Sequence, residues 1–174
     1  MKYIISVTII LMFFWICPTD TSGIKIPSEA IRLRVIPNSN SIRDQEVKMK
    51  VKNELENTTA NLLNGVTSIN VAREIINNNL DNIESNIQKI LLDEQYSLGY
   101  KINFGSNYFP EKEFKGIIYE EGYYESLVVT LGSGSGDNWW CVLFPPLCLL
   151  EAEESEKDDV EYQFFVKELI DKYF

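Results

Sequence analysis

The chain has 174 residues, 45% of them hydrophobic and 24% charged, so it can form one domain with a hydrophobic core. Its net charge of −10 comes from 16 basic and 26 acidic residues, a balance that argues against a nucleic-acid partner. It contains no His, which excludes Ser-His and Cys-His nucleophile activation and most zinc sites.

The first 23 residues have the pattern of an export signal. Lys2 is followed by an apolar run over residues 3–17 and by a small polar stretch over residues 18–23. The apolar run is shorter than the ~20 residues that span a bilayer comfortably. We expect residues 1–23 to be a signal peptide or, because no clear small-x-small cleavage site follows, a retained N-terminal anchor. In either case the remaining chain is exported, and a disulfide can persist there.

The next segment predicts one strand and two helices. Apolar residues alternate with Arg over residues 31–36, which indicates a half-buried strand. Ser41 with Asp44 is typical of a helix N-terminus, and the helix runs to about residue 63 before Asn64-Gly65. A single apolar stripe over residues 69–90 predicts a second helix, so the two should pack as a hairpin. We interpret the basic run Lys48, Lys50 and Lys52 as a solvated helix face.

Beyond residue 94 the apolar period changes to two. Strands are predicted over residues 96–104, 116–119 and 126–131, with a turn around residues 105–110. Residues 151–161 hold seven acids and one Lys, which predicts a solvated linker before a helix from Val160 to Tyr173. These elements predict an α+β fold in which an antiparallel sheet packs against a two-helix hairpin, with a C-terminal helix added. The expected domain is 24–150, and residues 151–174 are the acidic linker and helix.

The most unusual segment is Asn138 to Cys148, whose sequence is NWWCVLFPPLC. It follows a Gly/Ser run, Gly132 to Gly136, which lacks the Lys of a phosphate-binding loop and which we interpret as a flexible hinge. Aromatic bulk after such a run suggests a surface loop that contacts an apolar partner, the alternative being ordinary core. Because neighbours in an extended chain face opposite sides, one indole should pack inward and the other be partly displayed. The predicted contact residues are Trp139, Trp140, Phe144, Pro145 and Pro146.

Two cysteines flank this segment at Cys141 and Cys148. A bridge between them would close a short loop and contribute about 2.5 kcal/mol in the chain-entropy treatment. The intervening Pro pair already stiffens the loop and lowers that gain. The alternative is two free, buried thiols, and the local sequence offers no base or cation that would activate a thiol nucleophile.

No catalytic, cofactor-binding or metal-binding residue is predicted, and we expect the chain not to be an enzyme. Candidate acids for a hydrolase are Glu120, Glu121, Glu125 and Asp137, but their spacing does not distinguish them from surface acids. Two other functions remain open. One is an exported cell-wall hydrolase that uses a carboxylate pair such as Glu121 and Asp137. The other is a structural envelope component whose Trp segment enters lipid.

Two blocks of the sequence resemble stage II sporulation protein R, and the resemblance covers about residues 29–150. The closing block is Asn138 to Cys148, after a Gly-rich stretch. Pro37 departs from the family pattern, where a small residue is expected, and Ser133 and Ser135 stand in a run that usually carries charges. The opening block comprises Ile31 to Ile36, Asn38-Ser39, Ser41, Asp44-Gln45, Lys48, Lys50 and Val51.

The resemblance implies a function in endospore formation. Such proteins are exported from the forespore into the space between the two membranes. There they activate a membrane-embedded aspartic protease, stage II sporulation protein GA, which processes pro-sigma-E. The resemblance thus implies a protein partner, with membrane proximity or N-terminal anchoring, and carries over no catalytic residue.

Overall fold

The computed structural model describes residues 24–114, 117–148 and 159–174, and for residues 159–162 it describes the backbone alone. The predicted leader and most of the acidic linker lie outside these ranges. The strands are β1 (Ile24–Lys25), β2 (Ile31–Ile36), β3 (Tyr100–Phe109), β4 (Lys112–Phe114), β5 (Ile117–Tyr119), β6 (Gly122–Leu131) and β7 (Trp139–Phe144). The helices are α1 (Ile42–Leu62), α2 (Ile69–Asn78), α3 (Leu80–Asp93) and α4 (Asp159–Tyr173).

The strands form two sheets. The larger has the order β3-β6-β2-β7, and the smaller has the order β1-β5-β4. The predicted α+β fold is confirmed, but the larger sheet is mixed because β2 and β6 run parallel. The register shows why: Ile36 at the end of β2 lies beside Thr130, and Tyr100 at the start of β3 pairs with Leu131. The helices therefore return the chain to the end where β2 finishes, and the β3–β6 hairpin brings β6 back parallel to β2.

The larger sheet is covered by the helices on one face and by a second layer on part of the other face, where outward residues of β3 such as Lys101 and Asn103 stay exposed. On one face, alternate residues such as Leu33 and Val129 pack against apolar residues of α1, α2 and α3. On the other face, Val142 packs with Tyr119 of the smaller sheet and Val166 of α4. The period of two in β2 predicts a strand with one buried face, whereas on its second face the structure also buries Arg32 and half-buries Arg34. This second layer encloses residues that the sequence pattern assigns to solvent.

Several predicted boundaries are wrong, since β3 begins at Tyr100 and not at residue 96, and β6 begins at Gly122 and not at residue 126. The apolar stripe over residues 69–90 is divided into α2 and α3 at Asn79, whose side-chain amide donates to the Ile75 carbonyl at 2.8 Å. Side chains of this type compete with the helical backbone for hydrogen bonds. The predicted turn at residues 105–107 is instead part of β3, which pairs with β6 as far as Phe109 opposite Gly122.

The C-terminal helix is confirmed as α4. Within the described ranges, no helix combines the length and the apolar character that a membrane crossing requires. The export of the chain and its division at residues 23 and 150 stay predictions.

Candidate functional site

The Trp-Cys segment begins as strand β7 at the edge of the larger sheet, so the prediction of a surface loop is wrong for residues 139–144. β7 pairs antiparallel with β2, placing Trp139 beside Val35 and Trp140 beside Arg34. Pairing with β2 satisfies one side of the β7 backbone. Among the described residues, its other side is a sheet edge, a place where proteins accept a further strand or contact a partner.

The two indoles lie on opposite faces of the sheet and both are half-buried. Trp139 packs against the core under the helices, with the Lys52 ammonium 4.9 Å from its ring centroid. Trp140 packs on the other face, 5.2 Å from the Phe109 ring and 6.0 Å from the Tyr119 ring, centroid to centroid. The predicted opposite orientation is confirmed. The expectation that only one indole is displayed is wrong, because a strand at the edge of the sheet leaves the side chains on both of its faces partly exposed.

Two of the five predicted contact residues are buried. Phe144 is 1% exposed, and its ring lies 5.2 Å from that of Tyr173 in α4. Pro145 is also buried, whereas Pro146 is half-buried. Phe144 and Pro145 cannot contact a partner while this packing is kept. The accessible part of the predicted contact set is therefore Trp139, Trp140 and Pro146.

The disulfide between Cys141 and Cys148 is present in the structure, with the two Cα atoms 5.5 Å apart. Both cysteines are buried, and the Phe144–Pro145 peptide bond between them is cis. The bridge joins the middle of β7 to the residue just beyond the Pro pair. It thus holds the end of the edge strand against the core.

The Gly/Ser run is held in place, so its interpretation as a flexible hinge is wrong. Backbone N–H groups from one end of this loop to the other donate to residues of the β2–α1 connection or to Gly99. A Cβ atom on Gly136 would overlap the Ser39 carbonyl, which shows how closely the two loops approach. The bonds run from Gly132 to the Gly99 carbonyl, from Ser133 to Asn38 Oδ1, from Ser135 to the Asn38 carbonyl, from Gly136 to the Pro37 carbonyl and from Asp137 to Asn40 Oδ1.

Asp44 organises the other side of this contact. Asp44 is 7% exposed, and its carboxylate accepts hydrogen bonds from the Ser39 hydroxyl and, at 3.0 Å, from Asn38 Nδ2. These two bonds hold the pKa of Asp44 below its usual value. Ser41 caps α1 by accepting from the Asp44 backbone N–H at 3.1 Å, as predicted. Residues 37–44 and 132–137 thus form one corner of the molecule, where the opening block of the sequence resemblance meets the loop that leads into the closing block. This corner positions β7.

The basic run on α1 is not a solvated face. Lys48 is 8% exposed and donates to the Asp137 carbonyl at 3.1 Å, and burial lowers the pKa of its ammonium. Lys52 is paired with Glu56 at 2.6 Å, and burial raises the pKa of the Glu56 carboxyl. Only Lys50 is exposed among the three. Lys48 thus supports the loop before β7, and Lys52 supports the Trp139 ring.

A pocket of about 160 Å³ lies beside Trp140, and sequence reasoning missed the residue at its base. Arg32 is 1% exposed, and its guanidinium carbon lies 3.4 Å from the Tyr124 ring centroid and 5.2 Å from that of Phe109. Burial lowers the pKa of Arg32, although the phenols of Tyr124 and Tyr119 oppose that shift. Within the described ranges, no hydrogen-bond acceptor reaches any of its three side-chain nitrogens. The available signal was the pair of Arg residues on one face of an otherwise apolar strand.

Arg34, the next residue on that face, is bonded on two sides. Its Nη1 donates to the Tyr108 carbonyl at 3.1 Å. In the orientation that satisfies both ends of its amide, Asn138 accepts from Arg34 Nε at 3.0 Å and donates to the Gly136 carbonyl at 3.1 Å. Asn138 therefore links the Gly/Ser loop to β2 immediately before the two indoles.

The acids considered for a hydrolase do not form the suggested pair. Trp139 lies level with Val129, and Glu121, just before β6, is eight residues before Val129, or about 26 Å away along the strand direction. Asp137 is two residues before Trp139, so Glu121 and Asp137 lie near opposite ends of the sheet, beyond the separation that carboxylate-pair hydrolysis uses.

Three of these four acids have structural partners. Glu121 accepts from the Tyr108 hydroxyl at 3.0 Å, and Glu120 is paired with Lys25 at 2.6 Å. Glu125 accepts from Arg73 Nε at 2.7 Å with one carboxylate oxygen and 2.9 Å with the other. In the part of the chain that the structure describes, no group of three or more potential ligands is arranged to hold a metal ion.

Comparison with known proteins finds matches to the part of the chain that contains this corner. Residues 27–154 match the family model of stage II sporulation protein R (spore_II_R). The chain is 35% identical to the stage II sporulation protein R of Bacillus subtilis (strain 168) over 138 residues, which are 79% of this chain and 62% of that protein. The chain thus spans about three-fifths of the length of this curated relative. No solved structure matches the chain.

Proposed function

The chain belongs to the stage II sporulation protein R family and so has a role in sporulation, and on that premise we propose that it is an exported signal that activates a membrane-embedded protease. The protease we propose is the aspartic protease stage II sporulation protein GA, which processes pro-sigma-E. The chain would leave the forespore, reach the space between the two membranes and bind the protease there. It would act as a ligand and not as an enzyme.

The observation that carries this proposal is that the family match includes the whole β7 edge and the corner that holds it. Trp139 and Trp140 offer apolar area on both sides of one strand edge, and Trp is enriched among residues that dominate binding energy. To activate the protease, the ligand must bind its active state more tightly than its inactive state. We assign that contact to Trp139, Trp140 and Pro146.

Two features support export. Residues 1–23 have the pattern of a signal peptide or anchor. The Cys141–Cys148 disulfide suits an oxidising compartment, since thiols are kept reduced in the cytosol. The mass of the mature protein would distinguish a cleaved leader from a retained anchor.

The test is co-expression of the chain, the protease and pro-sigma-E in a non-sporulating host, with precursor processing measured on immunoblots. Trp139→Ala and Trp140→Ala are made singly and together, because the two indoles face opposite sides of the sheet. We expect the double variant to abolish processing while the protein remains folded and exported. The single variants then show which face of β7 carries more of the contact.

The matched control is Tyr123→Ala, which removes an exposed aromatic side chain from β6, away from β7. With the Tyr123→Ala variant, the protease should process the precursor as it does with the unaltered chain. Normal precursor processing in the presence of the Trp double variant would refute the assignment of the contact residues. No processing by the unaltered chain, with a working protease present, would refute protease activation itself.

A further inference from the structure

The buried guanidinium of Arg32 has a place in the fold but no anionic partner among the described residues. Its Nε, Nη1 and Nη2 atoms are all buried without a hydrogen-bond acceptor there, and the residue lines the pocket beside Trp140. We propose that this pocket binds a carboxylate attached to an apolar group, with Arg32 as the countercharge.

The energetics of a buried cation favour this assignment. A buried charge costs free energy unless it is paired and hydrogen-bonded. Stacking on the Tyr124 ring at 3.4 Å offsets part of that cost by a cation–π interaction, but it uses none of the five N–H donors. An apolar side chain of similar length would fill the same space without the cost. The donors therefore serve a ligand that arrives from outside the described fold.

The pocket lining selects the class of ligand. Trp140, Tyr119 and Phe114 provide apolar walls, and Lys112 adds a second positive charge, its ammonium 5.2 Å from the Trp140 ring centroid. None of the described residues that line the pocket is acidic. A planar guanidinium matches a carboxylate in a bidentate geometry, and the rings favour an apolar group beside it over a fully hydrated anion such as phosphate.

Binding requires a small movement at the pocket rim, because the guanidinium nitrogens are covered in this structure. Lys112 and Phe114 lie on β4, a three-residue strand at the edge of the smaller sheet, and both are exposed. Displacement of these side chains gives a carboxylate access to Arg32. The inference does not depend on the protease, although Trp140 contributes to both surfaces.

The test uses small probes that differ in charge but hardly in shape. The full chain is titrated with N-acetyl-phenylalanine and with its amide, and with acetyl-Glu-Phe-amide and acetyl-Gln-Phe-amide. Binding is followed by calorimetry and by the indole N–H signals of the Trp residues. We expect one acid to bind at least about tenfold more tightly than its neutral partner, since hydrogen bonds to charged groups are worth that much or more. The pair that shows the difference distinguishes a chain-terminal carboxylate from an acidic side chain.

Variants locate the binding. Arg32→Met should lose at least about tenfold in affinity for the acid while its melting temperature stays equal or rises, because an unpaired buried charge is removed. Lys112→Gln should weaken binding, whereas Lys89→Gln, the same change on an exposed Lys of α3, should not.

Three outcomes would overturn the proposal. If the unaltered chain binds the acids and the amides equally, the charge of the ligand does not matter and Arg32 is not its countercharge. This result needs no variant. Tighter binding of inorganic phosphate would contradict the carboxylate assignment. Arg32→Met with a markedly lower melting temperature and unchanged affinity would make Arg32 a structural residue. Ligand affinity and melting temperature are measured without the protease or pro-sigma-E. The carboxylate proposal can therefore fail while the proposal of protease activation stands, and the reverse.

Discussion

Asn38 and Ser133, separated by 95 residues in the chain, are joined by two hydrogen bonds. The Asn38 side-chain oxygen accepts from the Ser133 backbone N–H at 3.0 Å, and the Asn38 carbonyl accepts from the Ser133 hydroxyl at 2.9 Å. This pair joins the segment between β2 and α1 to the loop that leads into β7. The position of the two indoles therefore depends on residues that contact neither of them.

Gly136→Ala should destabilise the fold. The added Cβ would overlap the Ser39 backbone carbonyl, and a backbone group cannot move aside as a flexible side chain does. We expect the free energy of unfolding to fall by about 2 kcal/mol, as in other overpacked sites. Urea denaturation measures it, with Ser106→Ala, at an exposed position of β3, as the control. Equal stability of the two variants would show that the loop contact is loose.

Asp44→Asn should make stability depend less on pH. The folded-state pKa of Asp44 is lowered, so its contribution is present above the unfolded pKa and is lost as pH falls through the folded value. At pH 7 the variant should lose about 2 kcal/mol, the scale of hydrogen bonds to a charged group. The difference from the unaltered chain should narrow below the usual Asp pKa of about 4. Urea titrations at several pH values measure it, and a constant difference down to about pH 2 would contradict the assignment.

Replacing Cys141 and Cys148 together by Ala, which adds no buried hydroxyl, should lower stability by about 2.5 kcal/mol, because the bridge restricts the unfolded chain. A reductant should destabilise the unaltered chain by a similar amount and leave the double variant unchanged. Thermal melts with and without the reductant measure both effects. A reductant that shifted both proteins equally would point to some other target.

Phe144→Ala and Pro146→Ala should separate packing from contact. Phe144 is 1% exposed, so its truncation should cost about 3–5 kcal/mol of stability. Pro146 is half-buried, so its truncation should change stability much less. Chemical denaturation measures both, and precursor processing is compared at equal amounts of folded protein. Loss of processing by a stably folded Phe144→Ala variant would return that residue to the contact set.

Features with local signals could be predicted from the sequence. The alternation over residues 31–36 indicates a strand in any surroundings, and Ser41 with Asp44 indicates a helix start, because each depends on neighbours within four residues. The Cys pair is equally local, since the short intervening loop limits the geometry that the cysteines can adopt. The Gly/Ser run shows the limit of this reasoning. Its composition is that of a flexible linker, and its rigidity comes from hydrogen bonds to residues 37–40, almost a hundred positions earlier.

The sequence by itself determined the type of the main helices and of β2, β3 and β6, the α+β class, the family and the opposite orientation of adjacent indoles, because these follow from short-range periodicity and from matched residues. Only the tertiary structure decided that β7 is an edge strand, that Phe144 is buried and that Arg32 is enclosed. Each depends on which distant segments cover a given strand face. Residues 24–25, 112–114 and 117–119 build the smaller sheet, and a period of two cannot tell whether the second face of β2 meets water or another layer.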